Sequence, residues 1–299
     1  MTIAHVTATE TVLVPAEITA LQLVDVVEVA PMRFRNTHNQ TNHSHALFGG
    51  QVMAQALAAA FRTVAHWPAH SLHGYFVRGG SIDLPVDYAV EAIRDGRRFA
   101  TRAVVASQAG RTIFQMHCSF HDPEPGFEHA FETPANVPDP EGLVSLRAFI
   151  AANVDRLAPA AVRNYSAPFP FELRPVDPEA NLLRGLDAPH RDFWTRMPSA
   201  AGIDDSRLQQ CLLTSLSDYW LAGVAAGPHV LATTSNDFLI TSLDHAIWFH
   251  HPVRVDEWLF YRTDSPAAQQ GRGLARGSLF DRQGRLVAST AQEALMRLL

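Results

Sequence analysis

Residues 208–226 read LQQCLLTSLSDYWLAGVAA and are apolar around almost the whole circumference of a helix. A run of this length is typical of a helix, and a helix that is apolar on every side is normally enclosed by its domain. One charged residue, Asp218, lies near the middle of the run. Because a lone carboxylate in apolar surroundings is costly unless it is paired, hydrogen-bonded or protonated, Asp218 is a candidate functional residue. The alternative is that it belongs to a solvent-facing strip between Thr214 and Gly223.

The whole chain has the composition of a globular protein, with 299 residues, of which 47% are apolar and 18% charged. Its net charge of −6 argues against a general role in binding nucleic acid. Cys118 and Cys211 stand in apolar segments and are interpreted as buried free thiols. The first twenty residues lack the pattern of a signal peptide, and no uncharged apolar run approaches the ~18 residues of a membrane span. The sequence therefore predicts a cytoplasmic protein without a membrane partner.

The first half of the chain predicts one buried helix followed by a meander of antiparallel strands. Gly49-Gly50 stands near the start of that helix, and Asp95-Gly96 is a hairpin signal. A helix followed by a meander is an α+β pattern rather than a βαβ pattern. The predicted elements are a tail at 1–17, a strand at 21–29, a loop at 34–45, a helix at 46–64 and strands at 70–78, 86–94, 99–107 and 111–121.

The second half repeats this order after a proline-rich stretch at 122–167, which is interpreted as an interdomain linker with some helix near 143–154. The hairpin sequence Gly96-Arg97-Arg98-Phe99-Ala100 is echoed by Gly271-Arg272-Gly273-Leu274-Ala275. The repeated order indicates duplication of one unit. Its predicted elements are strands at 171–176 and 192–197, the helix at 208–226 and strands at 241–252, 258–263, 274–280 and 286–297.

Six short segments, taken in order from about residue 20 to the C-terminus, carry a resemblance to a known family. They are Leu47-Phe48-Gly49-Gly50-Gln51-Val52, residues 70–78, Arg94-Asp95-Gly96, Gly126-Phe127-Glu128-His129, residues 244–250 and residues 289–297. Together they resemble the acyl-CoA thioesterase II (TesB-type) family. This resemblance implies a double hotdog fold, in which two long helices are each wrapped by a curved antiparallel β-sheet.

The expected domains follow from the repeat and the resemblance together. Residues 1–17 form an N-terminal tail, 18–122 an N-terminal hotdog domain, 123–167 a linker and 168–299 a C-terminal hotdog domain that carries the catalytic residues. Hotdog sheets commonly continue across subunits, so a homodimer or homotetramer is expected.

The resemblance also implies a set of catalytic residues, namely Asp218, Ser242 and Gln292. Family members use such an acid, hydroxyl and glutamine to position and activate a water, and the serine stands where threonine is common. Asp218 would be the base, and the backbone N–H groups of Gly50 and Gln51 would hold the oxyanion. The predicted activity is hydrolysis of fatty acyl-CoA to a fatty acid and coenzyme A, without a metal or cofactor. Attack by Asp218 itself remains an alternative to attack by water.

Four other functions were compared with this one. The Gly-x-Ser-x-Gly motif of a serine hydrolase is absent from this sequence. Histidines such as His43 and His45 do not form the compact ligand set of a metal site. Hotdog hydratases and dehydratases typically carry a catalytic Asp and His five residues apart, and the pattern Asp-x-x-x-x-His does not occur in this chain. A non-catalytic acyl-CoA-binding protein would not need an acid, a hydroxyl and an amide together.

Overall fold

The computed structural model describes residues 17–42, 46–229 and 238–298. The tail predicted at 1–17 lies almost entirely outside the described residues, as do His43 and His45. The helices are α1 (Ala20–Val24), α2 (Gly49–Phe61), α3 (Leu146–Ala152), α4 (Pro159–Ser166), α5 (Ser206–Asp218) and α6 (Gly223–Ala226). The strands are β1 (Val26–Ala30), β2 (Arg33–Asn36), β3 (Ala69–Phe76), β4 (Asp87–Asp95), β5 (Phe99–Gln108), β6 (Arg111–His121), β7 (Glu172–Pro175), β8 (His190–Arg196), β9 (Phe238–Ser242), β10 (Asp244–Phe249), β11 (Leu259–Gln269), β12 (Arg272–Phe280) and β13 (Leu286–Leu298).

The strands form one sheet in the order β1-β2-β4-β5-β6-β3-β10-β13-β12-β11-β8-β7, and β9 pairs with the far end of β13. Every pairing is antiparallel, which confirms the predicted α+β class. From its outer edge to the centre of the sheet, the first half has the order β1-β2-β4-β5-β6-β3. The second half has the equivalent order β7-β8-β11-β12-β13-β10. The two halves join where β3 pairs with β10, with Leu72 opposite Ile247.

The long helices α2 and α5 pack against each other and run in opposite directions. Gly50, at the start of α2, approaches the carbonyl of Ser215 near the end of α5. At the other end, the Arg207 guanidinium lies 3.4 Å from the carbonyl oxygen of Phe61. Twelve of the thirteen residues of α2 are buried, which suits its alanine-rich sequence, because alanine forms helix best and permits close packing.

The helix predicted over 208–226 is shorter than expected and ends at Asp218. Tyr219 is extended and Trp220 takes a positive φ of 71°, after which the short α6 begins. The buried Arg191 of β8 donates a hydrogen bond to the Trp220 carbonyl and lies 4.3 Å from the centroid of its ring. A cation from another strand therefore fixes the break, which the apolar pattern of the run did not reveal.

Two further predictions near the N-terminus are wrong. The strand predicted at 21–29 is α1 followed by β1, because Thr19 and Gln22 form a capping box that starts a helix. The loop predicted at 34–45 begins within β2. Most of the remaining strands are found close to their predicted bounds. The strand predicted at 258–263 extends to Gln269 as β11, and 241–252 is divided between β9 and β10 by a bend at Leu243.

The two cysteines agree with their prediction, whereas the linker differs from its own. Cys118 and Cys211 are both buried and free, as predicted. The linker contains α3 and α4, so it holds more helix than the single stretch expected near 143–154. No helix within the described ranges is long and apolar enough to cross a membrane.

Candidate active site

A cavity of about 520 Å³ opens where the start of α2 meets the end of α5. Both halves of the chain contribute to its walls, and the linker adds residues from α4. Apolar and aromatic side chains dominate the lining, with the Asp218 carboxylate and the Ser242 hydroxyl among its polar groups. The lining includes Leu47, Phe48, Gly49, Val52, Phe76, Arg78, Ile113, Phe114, Tyr165, Phe169, Tyr219, Trp220 and Ile240.

Asp218 is the last residue of α5, and its side chain is only 6% exposed. The alternative interpretation, in which Asp218 belongs to a solvent-facing strip, is therefore wrong. Burial raises the pKa of Asp218 to about 6, although hydrogen bonds from Gln292 and from the backbone N–H of Gly50 act in the opposite direction. Two helix ends meet at this carboxyl. The carbonyl end of α5 disfavours a negative charge, whereas the N-terminal end of α2 favours it.

The structure brings Asp218, Ser242 and Gln292 together. The Gln292 side-chain Nε2 donates to Asp218 Oδ1 at 2.5 Å and to Ser242 Oγ at 2.8 Å. Because one amide hydrogen serves each acceptor, the Ser242 hydroxyl keeps its own hydrogen for another partner. Gln292 is 1% exposed, so its orientation is set by the protein and not by solvent.

The bend between β9 and β10 explains how two strands place these groups side by side. β13 pairs with β10 through Ala291 and with β9 from Ala294 onward, so Gln292 lies at the junction. The Leu243 N–H donates to the Glu293 carbonyl at 2.8 Å and bridges the bend. Ser242, the last residue of β9, is thereby directed to the amide of Gln292.

The two backbone groups predicted to hold an oxyanion have other partners. The Gly50 N–H donates to Asp218, so it reaches the site but not as an open donor. The Gln51 N–H donates to the Phe48 carbonyl at 3.1 Å. The Gln51 side chain bonds the backbone of Gln40 and His38, and the structure does not bring Gln51 to the cavity. Gly49, the residue before Gly50, lines the cavity beside Asp218 Oδ2.

His245 is a site residue that the sequence reasoning missed. It belongs to β10, is 1% exposed, and its Nδ1 lies 3.8 Å from Asp218 Oδ1. Burial lowers the pKa of His245 to about 3, so the ring is neutral and the contact is not an ion pair. The available signal was the alternation along β10, which points His245 to the buried face of the sheet.

A cluster of rings closes one side of the cavity. Phe169 stacks on Tyr219 with centroids 4.3 Å apart, and Phe48 meets Phe169 edge-on at 5.1 Å. Phe48 precedes α2, Phe169 follows the linker helix α4, and Tyr219 follows α5. Three separate parts of the chain therefore combine into one apolar wall.

The structure does not test His43 and His45 as metal ligands, because both lie outside the parts of the chain that it describes. No group of three or more His, Cys, Asp or Glu side chains lies within reach of one ion there. His250 instead bonds the Ser289 hydroxyl at 2.9 Å.

Comparison with known proteins gives the family of this chain. The profile described as acyl-CoA thioesterase matches residues 166–295, and the profile described as acyl-CoA thioesterase N-terminal domain matches residues 37–121. Acyl-coenzyme A thioesterase 8 of Mus musculus is 38% identical over 274 residues, which are 89% of this chain and 84% of that protein.

Solved structures give the same relationship. Acyl-CoA thioesterase II TesB2 from Mycobacterium marinum is 33% identical and superposes with a TM-score of 0.75 over 94% of this chain and 98% of its own. A hot dog fold protein from Alicyclobacillus acidocaldarius is 15% identical and shares the fold, with a TM-score of 0.73 over 94% and 98% of the two chains. The chain therefore belongs to the acyl-CoA thioesterase family and has its hotdog fold.

Proposed function

We propose that this protein hydrolyses fatty acyl-CoA to a free fatty acid and coenzyme A, with a water activated by Asp218, Ser242 and Gln292. The observation that carries the proposal is the pair of hydrogen bonds from one Gln292 amide to both other side chains, at 2.5 and 2.8 Å. A buried acid, a hydroxyl and an amide are held in one geometry at the wall of an apolar cavity. This arrangement suits activation of a water at a thioester carbonyl.

In the proposed reaction, the water transfers a proton to Asp218 while its oxygen forms a bond to the carbonyl carbon. Asp218 Oδ1 is occupied by Gln292, and Oδ2 lies on the side of Gly49, which lines the cavity. Oδ2 is therefore the oxygen that takes the proton. The free hydroxyl hydrogen of Ser242 orients the water or the carbonyl. A pKa near 6 leaves Asp218 ionised at neutral pH and still basic enough to act.

Collapse of the tetrahedral intermediate breaks the C–S bond and returns the proton to the departing sulfur. We assign the developing oxyanion to the N–H of Gly49, the first helical residue of α2, because the N-terminal end of a helix favours negative charge. This replaces the earlier expectation for Gly50 and Gln51. The thiolate of coenzyme A is a good leaving group, so no strong acid is needed.

The cavity wall of Phe48, Phe169, Tyr219 and Ile240 suits an acyl chain, because apolar surface is removed from water when the chain binds. Arg78 is a cation in the same lining and suits an anionic part of the substrate. The double hotdog arrangement, with units at 18–122 and 168–299, is part of this proposal. A cytoplasmic location and a homodimer or homotetramer stay predictions from the sequence.

A hydratase or dehydratase would need a histidine that reaches the substrate beside the acid. His245 lies next to Asp218, but it is buried and does not line the cavity. This favours thioester hydrolysis over the hydration reactions of other hotdog proteins.

The test compares the parent protein with Asp218→Asn in thiol release from acyl-CoA and in equilibrium binding of acyl-CoA. The amide keeps the shape but cannot accept the proton, so turnover should fall by at least ~10² while binding persists. Near-parent turnover in a folded variant would remove Asp218 from the mechanism. Loss of binding together with turnover would instead indicate a structural role.

A further inference from the structure

His245 lies next to the carboxyl of Asp218 but does not line the cavity. Its Nε2 lies 3.0 Å from the Ser217 hydroxyl, and its Nδ1 lies 3.8 Å from Asp218 Oδ1. The Nδ1 atom is buried and has no hydrogen-bond partner among the described residues. A buried nitrogen without a partner destabilises the folded state, so its position next to the reactive acid needs a reason.

The hydrogen bonds around Ser217 fix the tautomer of His245. The Ser217 hydroxyl donates its one hydrogen to the Thr214 carbonyl at 2.9 Å, so its oxygen can only accept from His245. Nε2 therefore carries the ring hydrogen, and Nδ1 presents a lone pair to Asp218. The 3.8 Å separation supports this assignment, because an N–H donor facing a buried carboxylate usually approaches to about 3 Å or less.

Within the part of the chain that the structure describes, the other groups around Asp218 carry no charge that would mask the effect of this lone pair on the carboxylate. Among the described residues, no charged side chain contributes to the pKa of Asp218. Burial raises the pKa of both Tyr219 and Tyr261, which are therefore neutral at ordinary pH, and the nearby cation Arg191 interacts with these two phenols. His245 is thus a titratable group that faces the carboxylate directly, with Nδ1 3.8 Å from Asp218 Oδ1.

We propose that His245 is a positioning residue for the hydrolysis: its Nδ1 lone pair opposes the Asp218 carboxylate and makes it a better proton acceptor from water. The inference rests on the proposed function of Asp218. The lone pair disfavours the ionised carboxylate more than the protonated acid, so proton transfer from water to Oδ2 relieves the opposition. An interaction that is less unfavourable after the transfer lowers the barrier for the chemical step.

Two variants test the roles of the two ring nitrogens of His245 separately. In His245→Asn the amide takes the place of Nδ1 and can turn its NH2 to Asp218, so a donor replaces the lone pair. In His245→Gln the amide reaches the place of Nε2 and keeps the bond to Ser217. His250→Asn is a matched control, because His250 also bonds a serine hydroxyl but on an exposed part of the sheet.

The measurement is the pH dependence of kcat for thiol release, together with KM. For His245→Asn we expect the apparent pKa of the rising limb to fall by about one unit and the plateau kcat to fall about three- to tenfold, with a smaller change in KM. His245→Gln should show less than half of that pKa shift, and His250→Asn none. An unchanged apparent pKa in folded His245→Asn would overturn the role of His245.

A second measurement uses the parent protein and does not depend on the variants folding. Nitrogen-15 NMR of the histidine side chains, with the His245 signals assigned through bonds from its own backbone, should show a neutral Nε2–H tautomer between pH 5 and 8. A ring that is protonated at Nδ1 would overturn the proposal. Near-parent turnover in Asp218→Asn would overturn the proposed function itself, whatever the His245 variants show.

Discussion

At the scale of single residues, the ionised Asp218 carboxylate is destabilised by its own surroundings. Its pKa is about 6 in the folded protein, against a usual value near 3.8, so between these pH values the folded chain holds a proton that the unfolded chain has released. Stability therefore decreases as the pH rises from about 4 to 6, and above this range the charge costs about 3 kcal/mol, at ~1.4 kcal/mol per pKa unit.

Replacing Asp218 by Asn should accordingly stabilise the protein while inactivating it. We expect the free energy of unfolding to rise by about 1–3 kcal/mol at pH 8, because a neutral amide is less costly to bury than a carboxylate. The gain should shrink as the pH falls from 6 towards 4. Denaturant unfolding of parent and variant at several pH values measures this gain. The lowered pKa of His245 has the opposite effect on the pH dependence of stability, but it is common to both proteins and cancels in the comparison. A gain that is independent of pH would contradict the assigned pKa.

Gln292 offers a second prediction at this scale. Gln292→Ala removes the donor that joins Asp218 to Ser242, so turnover should fall by about 10²–10³, as for the loss of one donor that positions the reacting groups. Steady-state hydrolysis and thermal unfolding should be measured on the same preparation. Full turnover in a folded variant would exclude Gln292 from the mechanism.

The three side chains were predicted from family resemblance, and physical reasoning on the residues alone reached only Asp218. A single acid in an apolar run is visible in the sequence, because it can be recognised without knowing which residues are its partners. Ser242 and Gln292 are separated by 50 residues and meet only through the bend between β9 and β10. For His245, the alternation along β10 indicates burial, but only the packing of β10 under the end of α5 brings the residue to the acid.

At the scale of elements, the site depends on how closely α2 approaches α5. A Cβ added to Gly50 would lie 2.7 Å from the Ser215 carbonyl and 2.6 Å from the Phe48 ring, so the side-chain-free residue permits the contact. The order of strands and helices could be predicted from periodicity and turn signals. The end of α5 could not, because Arg191 from β8 holds Trp220 in a conformation that the local sequence does not favour.

Gly50→Ala should therefore separate the two helices. Because a backbone carbonyl cannot move out of the way as a flexible side chain would, we expect a loss of about 1–3 kcal/mol in the free energy of unfolding, and lower turnover, since the Gly50 N–H would shift from Asp218. Gly126→Ala is the control, as nothing lies within 4 Å of its added Cβ. Equal stability and activity for both variants would show that the helix contact tolerates a methyl group.

At the scale of the whole molecule, the cavity is built from both halves of the chain. Asp218, Ser242 and Gln292 come from the second half, whereas Gly49 and Phe76 come from the first. The halves are joined by the pairing of β3 with β10 as well as by the contact between α2 and α5. One sheet with a repeated strand order therefore carries one asymmetric site, because the acid at the end of α5 has the apolar Phe61 as its counterpart at the end of α2.

A chain divided after Gly126, in the exposed part of the linker, tests this dependence. The fragment 127–299 keeps all three proposed catalytic side chains but loses the donor from Gly50 and the cavity wall from Phe76, so its turnover alone should be at least ~10² lower than that of the intact protein. Co-expression with 1–126 should restore activity, because each fragment covers the open strand edge of the other at the pairing of β3 with β10. Thiol release by the purified complex and by each fragment gives the comparison. If 127–299 alone hydrolysed acyl-CoA at the parent rate, the first half would have no part in the site.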